Sequence, residues 1–332
     1  MSQNTPEKEH IQLSAEILES QEAERLDVAV SALFSQYSRS RLQLWIKSGE
    51  ITLDGKPAKS REKVHEGQKV VLDVLLEAEP DEEVAENISL DIVYEDDHIL
   101  VINKPVGLVV HPGAGNSHGT LMNGLLYHYP ALANIPRAGV VHRLDKDTSG
   151  LMVVAKTLTA HSSLVAQLQE RTVSREYYAL VQGVMTAGGT VTKNIGRHPT
   201  NRQKQSVVDF GGKEAITHYR VVKRYRAHTL VRCKLETGRT HQIRVHMAYI
   251  RFPLLGDKTY AGRPKIPKAS DQVFIDALQK FPRQALHAWK LGLIHPEDGE
   301  YCEWEVEVAE DIQAMMQLMK EDLLDHKQTT GL

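Results

Sequence analysis

The chain has 332 residues, 41% of them hydrophobic and 25% charged, with a formal net charge of −3. That length accommodates one large domain and a small one, and the composition is that of a globular protein rather than a disordered or fibrous one. No apolar run approaches the ~20 residues of a membrane span, and Met1 to His10 lacks the apolar segment of a secretory signal, so a cytoplasmic protein with no membrane partner is expected.

The near-neutral mean hides a segregation of charge. Between Arg171 and Lys268 there are 20 Lys and Arg against 5 Asp and Glu, whereas Glu77 to Asp97 holds 10 acidic residues and neither Lys nor Arg. A basic region of that size is the electrostatic footprint of a polyanion, and nucleic acid is the expected partner. Cys233 and Cys302 fall in strand-like runs without CxxC spacing and read as reduced packing residues.

In chain order, residues 1–23 are polar and weakly patterned and read as a flexible arm. A compact unit follows over 24–76. Leu26, Val30 and Leu33 repeat at helical spacing, and Ser38 or Ser40 can cap a second helix carrying Leu42, Trp45 and Ile46. Gly49 ends it, Ile51 to Lys56 enters a tight Asp-Gly turn, and Lys69 to Leu76 supplies another strand. Basic residues Arg25, Arg39, Arg41 and Lys47 sit at the helix edges, and residues 24–69 hold 9 positive against 6 negative charges. With its RLD opening at Arg25 to Asp27, the SRSR at Ser38 to Arg41 and the hairpin from Gly49 to Lys56, the unit resembles the S4 domain, a small RNA-binding fold. The resemblance implies that Arg25, Arg39, Arg41 and Lys47 meet RNA.

Residues 77–87 are acidic and read as a linker. From 88 to 325, strand-like runs (Asp91–Tyr94, Ile99–Ile102, Leu151–Ala155, Tyr177–Val181, His218–Val222, Thr229–Leu235 and Leu286–Ile294) outnumber helical ones (Thr120–Tyr127, Leu158–Gln169, Thr240–Tyr249 and Asp311–Leu323). Strands that follow one another directly favour an α+β domain with a mixed, largely antiparallel sheet. Residues 326–332 read as a tail.

Three segments could carry chemistry. His142 to Gly150 is a polar loop between apolar runs, with Asp145 and Asp147 among His142, Arg143 and Lys146. Neighbouring cations favour an ionised carboxylate, able to act as nucleophile or general base, but spacing alone does not choose between the two acids. Glu236 to Met247 opens a helix that Thr240 can cap. It carries Arg239 and His241 at an anion-binding start, with Arg244 one turn deeper and able to reach an acid in the same cleft. Arg175 to Val181 opens a strand with Tyr177 and Tyr178, one of which must face inward, where a tyrosine can stack on a base. No complete phosphate loop, dinucleotide fingerprint or metal-ligand spacing accompanies them, so neither a cofactor nor a metal is expected.

Taken together, the HRLDxxTSG block at His142 to Gly150, the REYxA at Arg175 to Ala179 and the ETGRTHQIRVH at Glu236 to His246 resemble the signature motifs of the RluA-type pseudouridine synthases. The segment from Ile102 to Gly113 fits the same family, as does that from Pro253 to Gly262, with Ala261 in place of a glycine. The resemblance implies an isomerase without a cofactor. Asp145, directly after HRL, is its catalytic aspartate, Tyr177 its tyrosine and Arg244 its basic partner, while Arg143, Arg239 and His241 meet RNA. It further implies action on 23S ribosomal RNA, in the manner of the subgroup that modifies the helix 69 stem-loop; a monomer is expected, although the sequence itself carries no signal of oligomeric state. A ribosome-associated RNA-binding protein without catalysis is the alternative, and it leaves the acid loop unexplained. An RNA methyltransferase would need a glycine-rich methyl-donor loop that the sequence lacks.

Overall fold

The computed structural model describes residues 8–34, 37, 39–77, 84–113, 116, 118–201 and 204–330. The chain divides into two compact units, Met1–Glu82 and Glu83–Leu332.

In the first unit, β1 (Lys8–Glu16), α1 (Leu26–Leu33), α2 (Arg39–Ser48), β2 (Ile51–Leu53), β3 (Lys56–Pro57) and β4 (Lys69–Glu77) follow in order. The sheet runs β1-β4-β2-β3, antiparallel throughout. Leu26, Ala29 and Val30 of α1 and Leu42, Trp45 and Ile46 of α2 share a core with Ile51 and Leu72. Asp54 and Gly55 both take positive φ, the conformation of a two-residue hairpin turn whose twist matches its strands. Ser38, one of the expected caps, lies outside the described residues.

The expected loose arm over 1–23 is corrected by β1, which pairs along its whole length with β4, from Lys8↔Glu77 to Glu16↔Lys69. The physical reason is a period-two pattern that a helical reading passes over. Ile11, Leu13 and Ala15 pack against the core, while His10, Gln12 and Ser14 alternate with them.

The second unit continues with β5 (Ile92–Glu95), β6 (Ile99–Lys104), α3 (Leu121–His128), β7 (Ser149–Ala155), α4 (Leu158–Glu170), β8 (Ser174–Gln182), β9 (Gly189–Thr192), β10 (Ile195–Arg197), β11 (Gln205–Val207), β12 (Ile216–Arg224), β13 (His228–Leu235), α5 (Gln242–Tyr249), α6 (Gln272–Lys280), β14 (Leu286–Ile294), β15 (Tyr301–Glu305) and α7 (Glu310–Thr330). Its main sheet is nine-stranded in the order β5-β6-β7-β14-β8-β13-β12-β9, with β15 also on β14, and β10 and β11 form a separate hairpin. Every pair in the main sheet is antiparallel except β7 with β14, which share two residue pairs in parallel. The fold is therefore α+β with a mixed, largely antiparallel sheet.

Alternation along the strands places the two faces. Tyr177, Ala179, Val231, Cys233 and Leu235 turn to one side, where Ile243 and Met247 of α5 cover them. Leu180 and Leu230 turn to the other, under α6 and α7. Strands β9 to β11 and β15 lie outside the expected runs because such short or half-exposed elements carry too few apolar positions to set a period, whereas α6 lies outside them despite Phe274 and Leu278 at helical spacing. The expected tail is corrected too, since α7 runs on to Thr330, past residues 326–330.

Candidate active site

The acid loop follows a short 3-10 turn and a single bridge, Val140↔Val154, rather than a strand, and leads directly into β7. The loop is fastened at three consecutive residues, by the backbone at two and by a side chain at the third. The Lys146 carbonyl accepts hydrogen bonds from Lys104 Nζ at 3.0 Å and the Gly107 amide at 3.0 Å. The Asp147 carbonyl accepts from Arg283 Nη1 at 3.1 Å, and Thr148 Oγ1 from Gln284 Nε2 at 3.2 Å. Thr148 N closes the turn onto the Asp145 carbonyl at 3.0 Å. Lys104 is wholly buried and also donates to the carbonyls of Pro105 and Leu108; burial pushes its pKa down to about 8, against the pull of Asp147 and Asp145. At the end of the loop Gly150 takes φ +113, and a Cβ there would stand 2.1 Å from the Ala288 carbonyl oxygen, so glycine lets β7 meet β14.

Asp145 is the carboxylate that enters the cleft. Its Oδ2 accepts from Arg244 Nη1 at 2.9 Å, and its Oδ1 lies 3.9 Å from His241 Nε2. The remaining edge of the Arg244 guanidinium is held by Asp257 in a two-point pair, Nε to Oδ2 at 2.7 Å and Nη2 to Oδ1 at 3.0 Å. The Asp257 side chain is fully enclosed and also accepts the amides of Thr259 and Tyr260. Despite burial, these two carboxylates raise the pKa of Arg244. The Tyr260 ring lies under the guanidinium, 5.1 Å from its carbon, and the Tyr260 hydroxyl meets His241 Nδ1 at 2.8 Å. Asp145 is thus the free end of a chain, Asp257–Arg244–Asp145, in which only the last carboxylate faces open space.

Burial holds His142 neutral, its pKa down to about 3 with Arg175 adding to the effect. Its Nε2 accepts the Val153 amide at 3.1 Å. The expectation that His142 adds to the cations around the acids is corrected. Arg244 takes that part from the far side of the cleft.

Helix α5 begins at Gln242, two residues after the expected cap. His241 occupies the N-cap with φ +58, and the Gln242 side-chain oxygen accepts the Arg239 amide at 2.9 Å and the Thr237 hydroxyl at 2.8 Å. Thr240 therefore does not cap. The left-handed turn at His241 instead brings that imidazole toward Asp145.

A cleft of about 780 Å³ surrounds Asp145, a size suited to a nucleoside and its neighbours. Tyr177, Arg143, Arg239, His241 and Arg244 line it, together with Arg137, Arg171 and Arg175. Asp145 and Glu236 are its only acids among the described residues. Tyr177 is buried in the cleft wall, and that burial raises the phenol pKa, so it stays protonated at neutral pH. Arg239 Nε is tied to the Glu214 carbonyl at 2.9 Å, while Arg143 is exposed at the rim. Arg175, Lys104, Asp257 and Tyr260 had been passed over as individuals. Arg175 is buried beside Tyr177 with its Nε unpartnered, a spare donor at the cleft wall.

The basic residues of the first unit are spread differently. Arg25 is paired with the buried Asp27 through two hydrogen bonds of 3.0 Å, a link that holds the start of α1. The Arg41 guanidinium lies 5.5 Å from the Trp45 ring, and Lys47 is exposed in the last turn of α2. Arg39 opens α2, and its side chain lies outside the described residues.

A family model for RNA pseudouridylate synthase matches residues 98–249, and one for the S4 domain matches 24–70. The chain is 56% identical to ribosomal large subunit pseudouridine synthase D of Pseudomonas aeruginosa, over 94% of its own length and 97% of the relative's. Against the protein of the same name from Escherichia coli strain K12 it is 51% identical, over 96% and 98% of the two chains. This chain belongs to the pseudouridine synthase family. Among solved structures, human RNA pseudouridylate synthase domain containing 1 superposes with a TM-score of 0.50 at 26% identity, covering 71% of this chain and 96% of that one. The human domain containing 4 gives 0.53 at 24% identity over 69% and 92%, a likeness of fold. The synthase is accordingly an isomerase with an S4 domain at its N-terminal side. Among the described residues, no helix is long and apolar enough to cross a membrane.

Proposed function

We propose that this synthase converts uridines of 23S ribosomal RNA to pseudouridine in the cytoplasm, in the helix 69 stem-loop, with Asp145 as the catalytic carboxylate. The observation that carries the reading is the Asp145–Arg244 pair at 2.9 Å, set in a cleft rich in arginine with Tyr177 in its wall. The names of the bacterial relatives support the ribosomal large subunit as the source of the RNA.

The reaction breaks the N1–C1′ bond of a uridine, turns the uracil and joins C5 to the same C1′. N1 gains a proton and C5 loses one, so nothing is imported or oxidised. Asp145 supplies the carboxylate facing the sugar, either attacking C1′ or taking the C2′ proton. Arg244 fixes one carboxylate oxygen and leaves the other toward the cleft. Tyr177, a neutral phenol, stacks on the detached base and relays a proton. The target nucleotide must first leave its stack, at a cost of a few kcal/mol, which phosphate contacts from Arg143, Arg239 and His241 and from the S4 unit offset.

Asp145→Asn tests this directly. Tritium release from RNA labelled at uridine C5 should vanish while RNA affinity stays near wild type, and substantial release would remove Asp145 from its role. Tyr177→Phe should bind RNA normally and turn over slowly.

A further inference from the structure

The basic stretch from Arg171 to Lys268 does not all face Asp145. Tyr177, Cys233 and Tyr219 stand opposite one another across β8, β13 and β12, on the cleft side of the sheet. Their neighbours therefore point to the reverse side, where Thr190, His218, Lys234 and Glu176 form one cross-strand row and Arg220, Arg232 and Tyr178 the next. A groove of about 980 Å³ lies there, lined by Arg220, Arg224, Arg232, Lys234 and His218.

Two features of this groove lack a structural reason within the protein. Arg220 and Arg232 are direct cross-strand partners, and like charges placed opposite destabilise a ladder. The side chains of Arg220 and Lys234 are exposed and have no ion pair or hydrogen bond among the described residues. Only Glu176 and Glu236 bring negative charge among the described lining residues. Glu176 lies 3.4 Å from Arg232, and Glu236 is engaged by His218 and Arg171. A polyanion laid across the rows would turn the like-charge pair from a liability into a clamp. The groove is also continuous with the catalytic cleft, since Arg171 and Glu236 line both.

We propose that this reverse-face groove is a second RNA site, which holds the phosphate backbone of substrate flanking the stem-loop whose uridine fills the cleft. The site rests on the rRNA reading above. It positions without reading sequence, through Arg220, Arg232 and Lys234. Its substrate class is RNA long enough to pass around the strand ends at Arg171, where β8 begins and β13 stops.

The test is the double variant Arg220→Gln, Lys234→Gln in the full chain, beside wild type and Asp145→Asn. Affinity for a long large-subunit RNA transcript and for a minimal stem-loop is measured against salt. With the long transcript, the slope of log K on log salt should shrink by about 0.7–0.9 for each phosphate contact removed. Affinity and turnover on the minimal stem-loop should stay at wild type, and the melting temperature should hold or rise because a like-charge pair is gone. Equal slopes for variant and wild type on the long transcript would overturn the proposal. So would unchanged binding to naked RNA with lost binding to assembling subunits, which would assign the groove to an acidic protein. Asp145→Asn should lose product without changing the slope. A wild-type enzyme that made no pseudouridine in any RNA would sink the rRNA reading while leaving the slope comparison standing on its own.

Discussion

Asp257→Asn is the sharpest probe of how the site is built. Asp257 is fully enclosed, and its two oxygens accept Nε and Nη2 of Arg244 as well as the amides of Thr259 and Tyr260. An asparagine can keep its carbonyl where Oδ1 stands, but its NH2 then faces Arg244 Nε, donor against donor, at a spacing now 2.7 Å. Removing one partner of a buried pair costs about 3–5 kcal/mol. Here Asp145 still offers the guanidinium a counter-charge, so the loss should fall nearer ~2–4 kcal/mol. The displaced guanidinium should also carry Asp145 with it, and a misplacement on the order of 1 Å can cost roughly 100-fold in rate. Urea unfolding should show a lower midpoint at unchanged slope. Single-turnover tritium release should slow by about 10–100-fold, with RNA affinity little changed. A purely structural role would lower stability without slowing turnover of the folded fraction. That outcome, or wild-type behaviour in both assays, would refute the idea that Asp257 aims the Asp145 carboxylate through Arg244.

Other outcomes follow from the same geometry. Gly150→Ala drives a Cβ to 2.1 Å from the Ala288 carbonyl at a φ that side chains avoid, and should cost upwards of ~4 kcal/mol; an unchanged thermal midpoint would show that β7 and β14 part freely. Lys104→Met leaves the Pro105 and Leu108 carbonyls without their ammonium donor, and should destabilise by about 2–4 kcal/mol and loosen the acid loop, read by amide exchange at Lys146 to Thr148. Burial lowers the pKa of His142 to about 3 and of His228 and His287 to about 4, from 6.5. Between pH 6.5 and about 4 the unfolded chain therefore binds protons that the folded chain refuses, and stability falls as pH drops, by up to roughly 4 kcal/mol per pH unit from the three together. His228 has both ring nitrogens unpartnered, so His228→Leu should keep or raise neutral-pH stability and remove about a third of that acid slope; an unaltered slope would mean His228 titrates normally.

Much of the fold was legible because central strands announce themselves. The run Leu151 to Ala155 is buried on both faces, and Val231 to Leu235 alternates cleanly between core and solvent. Strand β1 alternates as well, but His10, Gln12 and Ser14 made it read as a polar arm. Asp145 and Arg244 were legible as a possible pair, although 99 residues separate them. What spacing concealed was the support beneath them. Asp257 and Lys104 look like surface charges in a linear reading, and only the closed fold shows that neither has access to water. The helix start at His241 was equally hidden, since a positive φ at a histidine leaves no trace in periodicity.

The parallel contact between β7 and β14 spans two residue pairs, Ser149 with His287 and Gly150 with Ala288. It is the seam of the main sheet, with β5 to β7 on one side and β8, β9, β12 and β13 beyond β14 on the other. The acid loop belongs to the first half and Arg244 to the second, so neither half alone contains the Asp145–Arg244 pair. Because β14 lies late in the chain, the pairs that join the two halves, Ser149 with His287 and Gly150 with Ala288, can form only after nearly the whole second unit has been made.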